Sequence, residues 1–245
     1  MPLKVSTHKE LATATNDWWH PYRKTRDTTI FHVDLRPHNT REAEALEWLD
    51  SEEQARWHRF RHVRARYEFS LCRAALRAIL CKHLDCRNEQ LAFGTSKYGK
   101  PHALVDGEQE GIGFNVSHSH QHGLVALALH GRVGVDVEER NMQQNLDEDI
   151  QSVFTPNERE DLAATHGPQK IHLFFRLWTM KEALLKALGT GFSLDMSGIE
   201  IPKTLRQEMN AGEFCFPQLP QVRWWLESLD DPNFAAALAH ELNPV

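Results

Sequence analysis

With 245 residues, 41% of them hydrophobic, the chain can bury a substantial core as one large domain or two small ones, and its net charge of −6 disfavours a long nucleic acid as partner. No window approaches the roughly 18 uninterrupted apolar residues of a membrane span, and the first residues lack an apolar signal core. The four cysteines, Cys72, Cys81, Cys86 and Cys215, show no C-x-x-C spacing, so a cytoplasmic globular protein with free thiols is expected.

Residues 1–29 are polar and aperiodic apart from Trp18, Trp19 and Tyr22, which predicts an extension that packs loosely. Phe31 to Leu35 alternates like a strand, and Glu42 to Leu49 reads as a short helix. Glu52 to His62 and Arg66 to Leu84 carry a helical apolar face through Tyr67, Leu71, Ala75 and Ile79. Residues 51–87 hold nine Lys and Arg against four Asp and Glu, a basic patch on an acidic protein that suits a small polyanion, or else a solvated helix face. Leu91 to Phe93 begins a strand, and Tyr98-Gly99-Lys100-Pro101 marks a turn.

Phe114 to His122 is hydroxyl- and histidine-rich and runs directly into the apolar stretch Leu124 to Leu129, which places a site at a sheet edge. Arg132 to Glu139 alternates cleanly: Val133, Val135 and Val137 take one face, Asp136 and Glu138 the other. Residues 141–152 are polar and read as a loop. Thr155-Pro156-Asn157-Glu158 carries the signature of a capping box with proline at the first helical position. A helix is predicted from Lys170 to Leu188, ended by Gly189, with Leu173, Leu177, Met180, Leu184 and Leu188 in one stripe and Phe175, Trp178 and Leu185 widening it. Phe214 to Phe216, Val222 to Leu226 and Phe234 to Ala239 read as strands. Strand, helices, strands thus recur twice, the pattern of a duplicated α+β unit.

Asp136 and Glu138 on one strand face lie about 7 Å apart along the backbone, close enough to share a cation. By spacing alone, such a pair more often belongs to a salt-bridged or solvent-facing strand. Glu182 is a candidate third carboxylate, and an oxygen-only set with open positions suits Mg2+ on a phosphorylated substrate. In the Lys170–Leu188 helix, Lys181 falls inside the apolar arc while Glu182 and Lys186 point together one turn apart. The plain reading there is a snorkelling lysine beside an i, i+4 ion pair. His118, His120 and His122 would share one face of a continuous strand, which permits zinc, but the neighbouring Ser117 and Ser119 favour phosphate contact for His118 and surface roles for the other two.

Taken together, Gly99-Lys100-Pro101, Phe114-Asn115-Val116-Ser117-His118-Ser119, Val133-Gly134-Val135-Asp136-Val137-Glu138, Phe154-Thr155-Pro156-Asn157-Glu158 and Trp178-Thr179-Met180-Lys181-Glu182-Ala183 with Lys186 and Gly189 resemble the motif series of 4′-phosphopantetheinyl transferases of the surfactin (Sfp) type. The resemblance runs from about Phe31 to the C-terminus and matches in order and spacing. It implies transfer of the phosphopantetheine arm of coenzyme A to a serine of an apo acyl or peptidyl carrier protein, leaving adenosine 3′,5′-bisphosphate. It also implies two similar α+β halves, residues 30–131 and 132–245, with the site between them, and permits a monomer. By resemblance, Asp136, Glu138 and Glu182 hold Mg2+, Lys186 neutralises the pyrophosphate, and Lys181, Ser117 and His118 position coenzyme A. Lys100 and the Arg56 region would meet the nucleotide end, with Arg66 a second candidate, since Gln54 and Arg56 stand where the family often has lysines. Glu182 is the candidate base, and residues 141–155 the candidate docking segment for the carrier. Other readings are a non-catalytic coenzyme A or carrier-binding module and a Mg2+-dependent phosphohydrolase.

Overall fold

The computed structural model describes residues 18–140, 146–189, 195–229 and 231–242. Its first half holds strands β1 (Trp19–Thr25) and β2 (Thr28–Asp34), helices α1 (Asn39–Trp48), α2 (Ser51–Arg59) and α3 (Val63–Leu84), and strands β3 (Leu91–Thr95), β4 (Pro101–Val105), β5 (Glu108–Gln109), β6 (Gly113–Ser119) and β7 (His122–Ala128). The second holds β8 (Val133–Glu139), α4 (Leu146–Val153), α5 (Pro156–Ala163), α6 (Gly167–Leu188), α7 (Lys203–Gln207), β9 (Ala211–Cys215), β10 (Arg223–Ser228) and β11 (Phe234–Glu241). Two four-stranded antiparallel sheets result, ordered β1-β2-β7-β6 and β8-β11-β10-β9, with β3-β4-β5 as a small third sheet. A 22-residue helix belongs to each half, α3 against the first sheet and α6 against the second. This is an α+β fold of two similar halves. Among the described residues no helix is long and apolar enough to cross a membrane.

Three apolar clusters account for the packing. One joins α3 to the first sheet through Leu71, Ala75 and Val125, and a second joins α6 to the second sheet through Leu177, Leu184 and Leu226. The third lies between the sheets, where Val133, Val135 and Val137 meet Ile30, Leu124, Ala126 and Leu238. The valine face of β8 is therefore the floor of the junction between the halves, and its opposite face turns toward α6. Gly134 makes that approach possible, because a Cβ there would sit 2.1 Å from the Ala183 carbonyl oxygen and 2.3 Å from the Ala187 nitrogen. α6 ends at Gly189 with φ 71°, the left-handed cap expected from the sequence.

Several expectations are corrected. Residues 18–29 are no loose extension: Trp18 and Trp19 are buried, and β1 pairs with β2 along its length. Arg23 and Thr25 donate to Glu227, and the Tyr22 hydroxyl donates to the Leu229 carbonyl, so β1 ties the first half to the second. Residues 146–153 form α4 rather than loop, seated through buried Ile150; residues 1–17 and 141–145, with part of the docking segment, lie outside the described residues. The three histidines do not share a strand face. His118 is on β6, His120 occupies the turn with φ 53°, and His122 opens β7, where it bonds to His32 and packs on Phe234, which leaves no zinc triad.

Candidate active site

β6 and β8 run side by side where the two sheets meet, and polar side chains join them. Asn115 Oδ1 accepts from the Val135 N–H at 2.9 Å, Ser117 Oγ from Val137 at 3.4 Å, and Ser119 Oγ from Glu139 at 3.2 Å. Period-2 alternation on both strands delivers these contacts in register. The same alternation turns Asp136 and Glu138 toward α6.

Asp136 is 2% exposed. Its Oδ1 accepts from Ser117 Oγ at 2.9 Å and from the Lys186 ammonium at 2.5 Å, while Oδ2 is buried with no hydrogen-bond partner. Lys186 therefore reaches across to β8 instead of pairing with Glu182, and it also donates to Ser117. Burial raises the Asp136 carboxyl against the pull of Lys186. Glu138 is pushed up to about 7, first by burial and then by the charge of Asp136; Glu182 is raised by burial and by Asp136, with Lys186 opposing. Three crowded carboxylates around one ammonium leave an excess of negative charge that a divalent cation would relieve. Among the described residues no three such groups form a ready-made cage. Mg2+ takes one or two carboxylates and fills its shell with phosphate oxygens and water. The orphaned Asp136 Oδ2 is the oxygen such an ion needs.

Beside this cluster lies a cavity of about 240 Å3 lined by Arg56, Phe69, Arg73, Phe114, Asn115 and His118. His118 Nδ1 stands 3.6 Å from Glu68 Oε2, and burial lowers its pKa against the pull of that carboxylate. Arg56 lies over the Phe69 ring at 5.0 Å. Arg73 also lines this cavity and keeps a guanidinium nitrogen unpartnered. Its Nη1 is buried without a hydrogen-bond partner, its guanidinium lies 4.5 Å from the Phe93 ring, and its contact to Glu53 is a long 3.4 Å. Arg77, one turn on, has every donor nitrogen satisfied by Asp50, Glu53, Asn88 and Leu91 and is a structural arginine. From sequence the two look alike. A second cavity of about 260 Å3, lined by Tyr98, Lys100, Asn115, Glu182, Leu185 and Lys186, opens on the other side of Asn115.

Of three further residues expected to bind ligand, Lys100 lines this second cavity but has its ammonium bonded to backbone, while Lys181 and Arg66 line neither cavity. The Lys100 ammonium donates to the carbonyls of Val133, Lys186 and Ala187 at 2.7–2.9 Å, which uses all three protons, caps α6 and lowers its pKa through burial to about 8. Lys181 is fully buried and pairs with Glu158 at 2.6 Å while donating to the Val153 and Met196 carbonyls. Arg66 is turned onto the Trp57 ring at 4.9 Å and does not line the cavity shared by Arg56 and His118.

Family profiles match both halves: one described as 4′-phosphopantetheinyl transferase, N-terminal, over residues 34–130, and one described as the 4′-phosphopantetheinyl transferase superfamily over residues 132–239. The chain is similar to the 4′-phosphopantetheinyl transferase HetI of Nostoc sp., 34% identical over 78% of each chain. It is 39% identical to slr0495 of Synechocystis sp. over 59% of this chain and 58% of that one. To the 4′-phosphopantetheinyl transferase Sfp of Bacillus subtilis it is 26% identical over 64% of this chain and 67% of the other.

Proposed function

Because the chain belongs to the 4′-phosphopantetheinyl transferase superfamily, we propose that it moves the 4′-phosphopantetheine arm of coenzyme A onto a serine of an apo acyl or peptidyl carrier protein, with Mg2+ as its metal. The observation that carries this reading is the meeting of Asp136, Glu138, Glu182 and Lys186 at the junction of the halves, with one Asp136 oxygen left unpartnered. Asp136, Glu138 and Glu182 would hold the metal. When bound there, Mg2+ supplies positive charge to the pyrophosphate as negative charge develops on it.

The serine oxygen attacks the β-phosphorus, a new P–O bond forms, and the anhydride P–O bond breaks with its electron pair leaving on adenosine 3′,5′-bisphosphate. Lys186, fixed by Asp136 and Ser117, stabilises the transferring phosphoryl oxygens. Glu182, half-buried on α6 and raised by burial as Glu138 is, takes the serine proton. The basic cavity of Arg56, Arg73 and His118 receives the nucleotide end, and the apolar cavity beside Leu185 takes the pantetheine arm. The site is built from one chain's two halves, which suits a monomer, and free thiols suit the cytoplasm.

The test is to incubate the protein with Mg2+, coenzyme A and several apo carrier proteins and to follow intact carrier mass. A phosphopantetheine-sized gain supports transfer. No gain with any carrier sinks it, and phosphate release without acceptor would point to a hydrolase instead. In the same assay Arg73→Met is expected to raise KM for coenzyme A about tenfold with kcat held, the signature of lost charge-assisted binding common to ground and transition states. An unchanged KM would remove Arg73 from the nucleotide cavity.

A further inference from the structure

The contacts between β6 and β8 do more than join the halves. Asn115, Ser117 and Ser119 each accept a backbone N–H from β8, at Val135, Val137 and Glu139. The two serines also donate to the carboxylates that β8 presents between those positions: Ser117 Oγ to Asp136 Oδ1 at 2.9 Å and Ser119 Oγ to Glu138 Oε2 at 2.8 Å. A hydroxyl has a single proton, and an ionised carboxylate can only accept. The Glu139 N–H occupies an acceptor lone pair of Ser119, so the proton of that hydroxyl is directed to Glu138. The His120 Nδ1 contact at 3.5 Å is much the longer.

We infer that Ser119 is a positioning residue, which pins one oxygen of Glu138 and turns the other toward the Asp136 side of the cleft as a metal ligand. The inference rests on the metal reading above. Lys186 supplies an ionic hold on Asp136. For Glu138 the hydroxyl of Ser119 is the hydrogen bond in place. Rotation of Glu138 about its side-chain bonds is what that bond removes, and groups that orient a ligand in this way are typically worth about 10- to 100-fold in metal affinity or activity.

Mn2+ alone, added to the full chain and followed by its free-ion electron paramagnetic resonance signal, reads the effect without catalysis. Ser119→Ala is expected to weaken Mn2+ binding about tenfold and to raise the half-saturating Mg2+ for transfer by a similar factor. Ser119→Thr, which keeps the hydroxyl, restores both, and thermal unfolding confirms that each variant is folded. Unchanged Mn2+ affinity and Mg2+ dependence in Ser119→Ala would overturn the inference, as would a threonine variant no better than alanine. A parent protein that binds Mn2+ yet modifies no carrier would sink the transferase reading while leaving the Ser119 comparison decisive. A parent that does neither sinks both.

Discussion

Asp136→Asn is expected to cut carrier modification by roughly 100- to 1000-fold, the scale of losing one preorganised electrostatic group at a reacting centre, while moving the melting temperature by no more than about 3 °C. The two halves of this expectation have separate causes. Asparagine keeps an oxygen where Oδ1 now accepts from Ser117 and Lys186, so the seam between β6 and β8 keeps its bonds. The charge it removes is one that burial already disfavours. Lys186 is 28% exposed on its side chain and keeps some hydration once its partner is neutral. What disappears is the anionic Oδ2 and the charge that brings a cation to the junction. Rates of carrier mass gain, run beside thermal unfolding, separate the outcomes. Near-normal transfer would remove Asp136 from the metal set, and a collapse of the melting temperature would make its pair with Lys186 a structural bridge.

The elements around this site were legible wherever one face was apolar. β8 could be read from its valines, α6 from its leucine stripe, and the α5 cap from Thr155 and Glu158, whose reciprocal bonds are both present. β1 escaped because Trp-His-Pro-Tyr-Arg-Lys-Thr mixes proline and charge, the composition of a sheet edge, and its exposed positions hide the pattern. α4 escaped because one buried residue, Ile150, seats it. Within the site, Asp136, Glu138, Glu182 and Lys186 come together, whereas Lys181 is buried on Glu158 and the Lys100 ammonium is held by backbone. Lys100 is drawn to two carbonyls at the end of α6 and one on β8, a destination that depends on how that helix end meets β8 in space. No one-dimensional pattern carries it. Arg73 and Arg77 are the reverse case: one turn apart on α3, their difference is made by Asp50 and Asn88, which other elements bring to Arg77.

Lys181→Met is expected to destabilise the fold by about 3 kcal/mol, the low end for breaking a buried ion pair, which for a chain of this size lowers the melting temperature by about 10 °C. Both partners are fully buried, so removal of the ammonium leaves the Glu158 carboxylate with no opposing charge. The low end is chosen because Glu158 keeps two backbone donors, Thr155 on one oxygen and Ile201 on the other. The Val153 and Met196 carbonyls lose a donor as well, which loosens the segments before α5 and after α6. Adding Glu158→Gln to the variant removes the stranded charge and should recover part of the loss, so a double-mutant cycle by thermal unfolding would show strong coupling. Below its melting temperature the single variant should keep KM for coenzyme A unchanged, because the ammonium lies inside the second half, away from either cavity. A raised KM with an unchanged melting temperature would return Lys181 to the substrate.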